Sequence, residues 1–324
     1  MFFYRSPITH ARMPKKLRYL LNALVSIVLM ALIIHFTGVG KIVSHLAALS
    51  LPLFLLAVLI ENVGVMVSAK KWYLLLSMKG AGVPFLAAWK YYYIGTFFNA
   101  FFPTTVGGDA VKAYGLSRRL PRREDAFSSV VMDRLTGLLA VLAIGILALA
   151  SGWSLLPRAA LLLSAAILLL PLALIMVVFG TDVMGWLLHT SLAQKLGRLA
   201  LFVEEVYVSL RTYRHSGRRL PPVMVISLVY HVLLVVNNYV LSLALGLDIP
   251  LYYFFIFIPV AEILVFLPVT IQGFGVREGT YVTLFSAIGV GSGPAFALGF
   301  SDQLVKLIGN LIGGVVYAAT GWRD

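Results

Sequence analysis

Two short segments of the chain are nearly the same and decide its fold. Residues 101–108 read FFPTTVGG, and residues 266–275 read FLPVTIQGFG. Each segment places a proline and then a pair of glycines inside an apolar stretch, a combination that interrupts a helix. We interpret each as the turn of a broken helical hairpin, because backbone groups freed within lipid must face a protein-lined or water-filled cavity.

The composition around these segments is typical of an integral membrane protein. Of the 324 residues, 60% are hydrophobic and only 12% are charged, against roughly 25% charged residues in a soluble domain. The two interrupted stretches, Val83–Thr105 and Leu251–Val290, predict re-entrant hairpins. Because a span needs about 20 apolar residues, full spans are predicted at Leu20–Phe36, Leu51–Ser68, Ala126–Ala150, Leu155–Phe179, Val223–Leu247 and Pro294–Thr320. The prediction is an all-α polytopic membrane protein with six spans, two hairpins and about eight hydrophobic elements.

The distribution of basic residues predicts the orientation of these elements. Most Lys and Arg residues cluster at 1–18, 70–79, 112–123 and 195–219, and the net charge is +13. Because basic residues accumulate in cytoplasmic loops, we expect these clusters and both termini in the cytoplasm of a multi-pass inner or plasma membrane protein. This orientation explains the charge without a nucleic-acid partner. Residues 180–222 predict a cytoplasmic amphipathic segment on the membrane surface.

An internal repeat divides the single transmembrane domain (1–324) into halves, 1–152 and 153–324. The two breaks are 165 residues apart, and the [RK]-L-x-G-x-L pattern at 134–139 recurs 172 residues later. Each half then has two spans, a hairpin and a third span, so the odd number of crossings inverts the second half. Interruptions at corresponding positions of inverted halves are typical of alternating-access transporters. Chance recurrence of Phe, Pro, Thr and Gly is the alternative.

Polar residues within the apolar stretches are the candidates for a substrate-binding site. Ionisable residues deep in a membrane indicate function, and Arg134 and Lys306 lie about 15 and 18 Å along their predicted spans. Arg277 is the strongest candidate, because a cation at a helix N-terminus is unfavourable unless it meets an anion. The complete set comprises Arg277, Arg134, Lys306, Asp109, Glu278, Gly107, Gly108, Gly273, Gly275, Asn99, Glu262 and Glu61.

These candidates also have structural alternatives. The glycine amides can approach an anion such as phosphate, or the glycines serve only helix packing. Lys306 can pair with Asp302 four residues earlier. Glu278 can stabilise the first turn of its helix, and Asp109 can cap the helix that follows Gly108. Asn99 can form an interhelical hydrogen bond.

The sequence predicts no cofactor and no metal site. There is no cysteine, and the six histidines form no metal-binding cluster. G-x-S-x-G, P-loop and H-E-x-x-H motifs are absent. We therefore expect a transporter and not an enzyme. A membrane-embedded glycosyl- or phosphotransferase acting on a lipid carrier, and a scaffold of a lipid-synthesis complex, stay alternatives.

Three motifs in order resemble those of a known family. They lie at residues 99–112, at 133–138 (DRLTGL) and at 268–279 (PVTIQGFGVREG). The chain resembles the lysylphosphatidylglycerol synthase transmembrane-region family over nearly its whole length. The resemblance implies a flippase-like domain that moves a lipid between leaflets, an aminoacylated phosphatidylglycerol in the best-known members. The sequence has no soluble aminoacyl-transferase domain, so we expect it not to make lysyl-lipid.

The expected function is therefore a lipid flippase or transporter. A headgroup that carries phosphate would enter a central cavity between the two hairpins. The arginines, Lys306 and the glycine amides would hold the phosphate, and the carboxylates would hold a cationic group or a coupling proton. The expected partners are the lipid substrate and the bilayer. A second copy of the chain or a lipid-synthesis protein stays open as a further partner.

Overall fold

The structure is a computed structural model that describes residues 24, 44, 46–80, 82–100, 102, 107–180, 206–209, 212–215, 217–267 and 270–321. All regular structure within these residues is helical. Several predicted features lie outside the described residues. They are the first span apart from Leu24, most of the surface segment 180–222, and the hairpin turns at 103–106 and 268–269.

The described residues form nine α-helices. The first half contributes α1 (Leu51–Met78), α2 (Phe85–Asn99), α3 (Gly107–Ser117) and α4 (Arg123–Ser151). After a 3-10 turn at Trp153–Leu155 comes α5 (Arg158–Gly180). Two further 3-10 turns, Thr212–His215 and Gly217–Arg219, precede α6 (Leu220–Ala244), α7 (Leu251–Val265), α8 (Val276–Ser286) and α9 (Ser292–Thr320).

Proline and glycine set the beginnings of several helices. Pro52 lies in the first turn of α1 and Pro221 in the first turn of α6, where a backbone N–H has no intrahelical partner to lose. Pro84 and Pro250 directly precede α2 and α7. Gly275 precedes α8 with a φ of +82°, a conformation that residues with a side chain rarely adopt.

The long helices have the surface of a membrane protein. The segments Leu51–Met78, Arg123–Ser151, Gly217–Ala244 and Ser292–Thr320 are long and apolar enough to cross a bilayer. Most side chains in these apolar segments are not buried inside the protein, and large apolar residues such as Leu170 (73%) are strongly exposed. Continuous apolar surface of this extent is unfavourable in water, and it fits a lipid environment.

The helices of the two halves correspond in order, length and packing. Helices α2 and α7 both have 15 residues, α3 and α8 have 11, and α4 and α9 have 29. Helix α2 packs on α3 and on α9, while α7 packs on α8 and on α4. Helices α1 and α6 share the most extensive interface. A break between two short helices is present at each predicted position, and these helices are here called the first pair (α2, α3) and the second pair (α7, α8). The predicted end of the first interrupted stretch at Thr105 is wrong, because α3 lies beyond it. The inversion of the halves stays a prediction.

Two predicted helix boundaries are wrong. Helix α1 does not end at Ser68 but continues to Met78, because Lys71 does not close the helix: its side chain is buried against Asp133. Helix α6 begins at Leu220, inside the segment assigned to the membrane surface. The proline at this end lies in the first turn of the helix, where it is compatible with helical structure.

A polar junction holds residues 206–209 and 212–215 to the ends of α1 and α4. The Lys79 ammonium donates hydrogen bonds to Ser209 Oγ at 2.8 Å and to Thr212 Oγ1 at 2.6 Å. It lies 4.3 Å from the centre of the Tyr213 ring and 3.8 Å from Asp125 Oδ1. Burial lowers the pKa of the Lys79 ammonium, and the Asp125 carboxylate partly opposes that shift. This part of the predicted surface segment is therefore anchored to the helix bundle.

Candidate functional site

A cavity of about 250 Å³ lies between the first and second pairs. Both halves of the chain line it. The cavity lies at mid-length of the long helices. Two of its lining residues show this: Lys306 is the central residue of α9, and Arg134 lies within one turn of the centre of α4. The polar side chains along its wall are Glu61, Ser68, Lys71, Tyr92, Thr96, Asn99, Asp109, Asp133, Arg134, Tyr230, His231, Glu262, Gln272, Arg277, Gln303, Lys306 and Asn310.

On the side of the first pair, five charged residues form a linear chain of ion pairs, in the order Lys71, Asp133, Lys112, Asp109 and Arg134. Lys71 Nζ lies 2.9 Å from Asp133 Oδ1, and Lys112 Nζ lies 3.0 Å from both Asp133 Oδ2 and Asp109 Oδ1. The guanidinium of Arg134 pairs with the second oxygen of Asp109. The side chain of Arg134 is 32% exposed, whereas the other four are almost fully buried. The linear chain thus begins and ends with a cation, and the Arg134 end faces the cavity.

On the side of the second pair, four charged residues form a closed ring. Lys306 Nζ lies 3.1 Å from Asp302 Oδ2 and 2.9 Å from Glu262 Oε1. Arg277 Nη1 contacts the same Asp302 oxygen and lies 3.4 Å from the same Glu262 oxygen. Asp302 is fully buried, and Asn238 Nδ2 also donates to it at 3.4 Å. Each cation of the ring therefore meets both carboxylates.

The charges of these two networks do not cancel. The linear chain contains three cations and two carboxylates, and the ring contains two of each. Glu61 also lines the cavity and is buried. Within the described residues, Glu61 has no ion-pair partner within 4 Å. The net charge is +1 when Glu61 is neutral and zero when it is ionised.

The cavity brings together seven of the twelve side chains that the sequence singled out. They are Glu61, Asn99, Asp109, Arg134, Glu262, Arg277 and Lys306. The pairing of Lys306 with Asp302 is confirmed. The anion that meets Arg277 is supplied by the protein itself, through Asp302 and Glu262. Binding of a substrate by these residues stays a prediction.

Two of the glycine amides are not available to an anion, which corrects the prediction for Gly108 and Gly275. The Gly108 N–H donates to Asn99 Oδ1 at 2.7 Å, and the Gly275 N–H donates to Glu278 Oε2 at 2.7 Å. Glu278 is fully buried at the start of α8 and does not line the cavity. Its role is the structural alternative, a cap on its own helix.

Steric contacts and backbone conformation explain why glycine occupies these positions. A Cβ atom on Gly108 would overlap the carbonyl oxygen of Gly95, and one on Gly107 would overlap the Phe102 side chain. Gly273 has a φ of +82°, and a Cβ atom there would lie 2.6 Å from Val265 Cγ1. Close helix packing in the first pair and a left-handed turn in the second pair account for these positions.

Sequence patterns did not identify two buried cations of the linear chain, Lys112 at its centre and Lys71 at one end. The charge pattern predicts Lys71 and Lys112 in loop clusters, but both lie in helices with their side chains buried in ion pairs. The side of the membrane on which these clusters lie stays a prediction. A usable signal was present at Lys112, which follows Asp109 by three residues and so lies on the same helix face. Gln272 and Gln303, whose side chains are joined by a 3.1 Å hydrogen bond at the cavity wall, were not singled out either.

The fold and the site together define a helical membrane protein with an ionic cavity between two interrupted helices. The family model for the lysylphosphatidylglycerol synthase TM region matches residues 19–314, and the chain belongs to this family. Membership places the protein among membrane proteins related to lipid handling. Comparisons with curated proteins and with solved structures gave no match.

Proposed function

We propose that this protein moves a lipid with an anionic, phosphate-bearing headgroup between the leaflets of a membrane. The observation that carries the proposal is the ionic cavity, which lies at mid-length of the long helices and is lined by both halves. Burying charged side chains in a membrane protein is costly, so their convergence on a cavity supports a site for a polar ligand.

The position of Arg134 supports an anionic headgroup. Its guanidinium shares Asp109 with Lys112, so one carboxylate serves two cations at this end of the linear chain. A planar guanidinium binds phosphate oxygens through two parallel hydrogen bonds. Arg134 also lies with its guanidinium carbon 5.4 Å from the centre of the Phe266 ring, which is itself partly exposed. A headgroup on Arg134 would therefore have apolar surface beside it for the first part of an acyl chain.

We further propose that the first and second pairs are re-entrant hairpins of an inverted repeat. The equal helix lengths and the matched packing of α2 on α9 and α7 on α4 support this arrangement. In such a repeat the two pairs enter from opposite faces, and rocking of one half against the other exposes the cavity to each face in turn. The ion pairs in the cavity wall would then separate and reform during the cycle.

Transport is favoured over group transfer by the way the cavity residues are engaged. Each of the four carboxylates in the linear chain and the ring is held by two cations. These four carboxylates are thereby engaged in ion pairs, and among the described residues Glu61 is the cavity carboxylate that remains for proton transfer. A lipid-linked transferase is the second candidate, and consumption of a labelled donor by the purified protein would favour it.

The test of transport uses the whole chain reconstituted into vesicles. The vesicles contain fluorescent phosphatidylglycerol in one set and, for comparison, a fluorescent glycosyldiacylglycerol, which is neutral and carries no phosphate, in another. Leaflet exchange is followed by chemical quenching of the outer leaflet. We expect the protein to accelerate exchange of the anionic lipid, and we expect Arg134→Gln to slow that exchange at least tenfold.

The matched control is Arg122→Gln, since the Arg122 side chain is 65% exposed and lies outside the cavity. Its exchange rate should equal that of the parent protein. Equal rates for Arg134→Gln and the parent would contradict the site. An absence of protein-dependent exchange for the anionic lipid would contradict the proposed function.

The topology is tested separately by single cysteines in this cysteine-free chain. Pro84 and Arg118 flank the first pair, and Asp248 and Ala287 flank the second, all at exposed positions. We expect a membrane-impermeant thiol reagent to label the cysteines at 84 and 118 from one face and those at 248 and 287 from the other. Labelling of all four from one face would contradict the inverted repeat.

A further inference from the structure

Glu61 stands apart from the other charged residues of the cavity. It lies on α1, ten residues before Lys71. The nine residues of the linear chain and the ring are all in ion pairs, while Glu61 lines the same cavity without one among the described residues. An unpaired ionised carboxylate in a buried site is strongly unfavourable. Its protonation is therefore the least costly change of charge in the cavity.

The surroundings of Glu61 come from five neighbouring helices. The side chains whose charge or ionisation acts on it are Lys306 and Asp302 on α9, Glu262 on α7, Arg277 on α8, Tyr230 on α6 and Tyr93 on α2. The four charged residues among them form the neutral ring. Because the ring's cations are already neutralised by its own carboxylates, the ring offers Glu61 little net positive charge.

One histidine also lies at the cavity wall and could bind a proton in place of Glu61. His231 lines the cavity, and its Nδ1–H donates to the Ser227 carbonyl oxygen at 2.8 Å. That hydrogen bond engages Nδ1 and leaves Nε2 as the nitrogen at which His231 could gain a proton. His231 is therefore the alternative proton-binding group that the experiment must distinguish from Glu61.

We propose that Glu61 binds one proton together with each anionic headgroup, so that the protein takes up a lipid anion and a proton as a neutral pair. This inference rests on the proposed function. With Glu61 ionised the cavity has no net charge, and an added phosphodiester makes it −1. With Glu61 protonated the cavity is +1, and the same anion neutralises it. The proton comes from water on the open side of the cavity and leaves with the anion on the other.

Thermodynamic linkage fixes the sign of the coupling. If a proton on Glu61 strengthens anion binding, the bound anion must strengthen proton binding by the same factor. Anion affinity should therefore be highest at low pH. Above the pH at which Glu61 ionises, it should fall up to tenfold for each pH unit, the limit for one proton per anion.

The experiment measures protons directly. Dihexanoyl phosphatidylglycerol, which carries one negative charge, is titrated into the detergent-purified full chain by calorimetry between pH 5 and 9. Each titration is repeated in two buffers with different ionisation enthalpies, which gives the number of protons taken up per anion bound. We expect uptake approaching one proton at the alkaline end, and none at the acid end.

Glu61→Gln, which is isosteric with protonated Glu61, should bind the anion with no proton uptake and with an affinity independent of pH. Glu61→Asp should restore the uptake. The matched control is Glu124→Gln, since Glu124 pairs with Arg122 outside the cavity, and it should behave like the parent protein.

Uptake that persists in Glu61→Gln, or that disappears in a His231→Gln variant instead, would overturn the inference. Anion binding without proton uptake in the parent would overturn the inference and leave the proposed function standing. No anion binding at any pH would overturn the proposed function itself.

Discussion

The two ionic networks of this protein both join Lys and Arg to carboxylates but are connected differently. Near the first pair of helices the charges alternate along an open line, with a cation at each end. Near the second pair they close into a ring in which each cation meets both carboxylates. The linear chain is therefore positive by one charge and the ring is neutral.

This difference assigns separate tasks to the halves. A closed ring of buried pairs satisfies its own charges, and it fixes how α7, α8 and α9 pack. An open chain leaves its terminal guanidinium, Arg134, partly exposed to the cavity. We infer that the first half attracts an anion through the surplus positive charge of the linear chain. The second half contributes the neutral ring, beside which Glu61 of α1 can gain or lose a proton.

The largest expected effect is on stability and comes from opening the ring. Asp302→Asn leaves Arg277 and Lys306 with Glu262 alone, and removing one partner from a buried ion pair costs about 3–5 kcal/mol. Asp109→Asn in the linear chain should cost much less, because Lys112 keeps Asp133 and Arg134 is 32% exposed to the cavity. Reversible denaturation in detergent micelles measures both free energies of unfolding.

A conservative change in the ring serves as the control for that comparison. Lys306→Arg keeps the positive charge between Asp302 and Glu262, and it should lose much less stability than Asp302→Asn. Equal losses of unfolding free energy for Asp302→Asn and Asp109→Asn would mean that the closed ring stabilises the protein no more than the open chain does.

The next effect concerns the glycines of the two pairs. Gly108→Ala places a methyl group against the Gly95 carbonyl oxygen, and overpacking of this kind costs about 1–3 kcal/mol. Gly273→Ala meets the Val265 side chain at 2.6 Å and also a φ of +82°. Because one obstacle there is a side chain, Gly273→Ala and Val265→Ala should show a favourable coupling of about 1 kcal/mol in a double-mutant cycle.

In the first pair, truncating a neighbouring side chain should not relieve the loss of stability caused by Gly108→Ala. Truncating Asn99, the side chain nearest to Gly108, leaves the Gly95 carbonyl in place, so Asn99→Ala should not relieve Gly108→Ala. Additive losses at Gly273 and Val265 would mean that the positive φ alone opposes the substitution at Gly273. A rescue of Gly108→Ala by Asn99→Ala would mean that the Gly95 carbonyl oxygen is not the main obstacle at Gly108.

Sequence patterns located most of the described helices and the two interruptions. Apolar runs placed α4 within about three residues at each end, and proline with paired glycines located both breaks. Charge within the apolar stretches located six side chains of the cavity, and Asn99 was the seventh. These features depend on local composition, which a single sequence displays directly.

Ion-pair partners could not be predicted in the same way. Lys71 pairs with Asp133, 62 residues later, and Lys306 pairs with Glu262, 44 residues earlier. Such pairs depend on which helix faces pack together, and apolar periodicity in a membrane helix reports this poorly, because both lipid and protein interior are apolar. The rule that places basic residues in cytoplasmic loops further misplaced Lys71, because α1 extends past it to Met78.

The smallest expected effect tests the surplus charge of the open chain directly. Asp109→Asn removes the carboxylate that Arg134 shares with Lys112, so the cavity gains one positive charge while its shape is kept. Anion affinity should therefore rise, by roughly threefold, which corresponds to the contribution of a partly exposed ion pair, about 0.2–1 kcal/mol. The direction is opposite to that expected for Arg134→Gln, and calorimetry with dihexanoyl phosphatidylglycerol at pH 6 measures both. If the open chain only holds the helices together, both variants should weaken binding, because each disturbs the same contact. A gain in one and a loss in the other requires that Arg134 contact the anion and that Asp109 compete with the anion for Arg134.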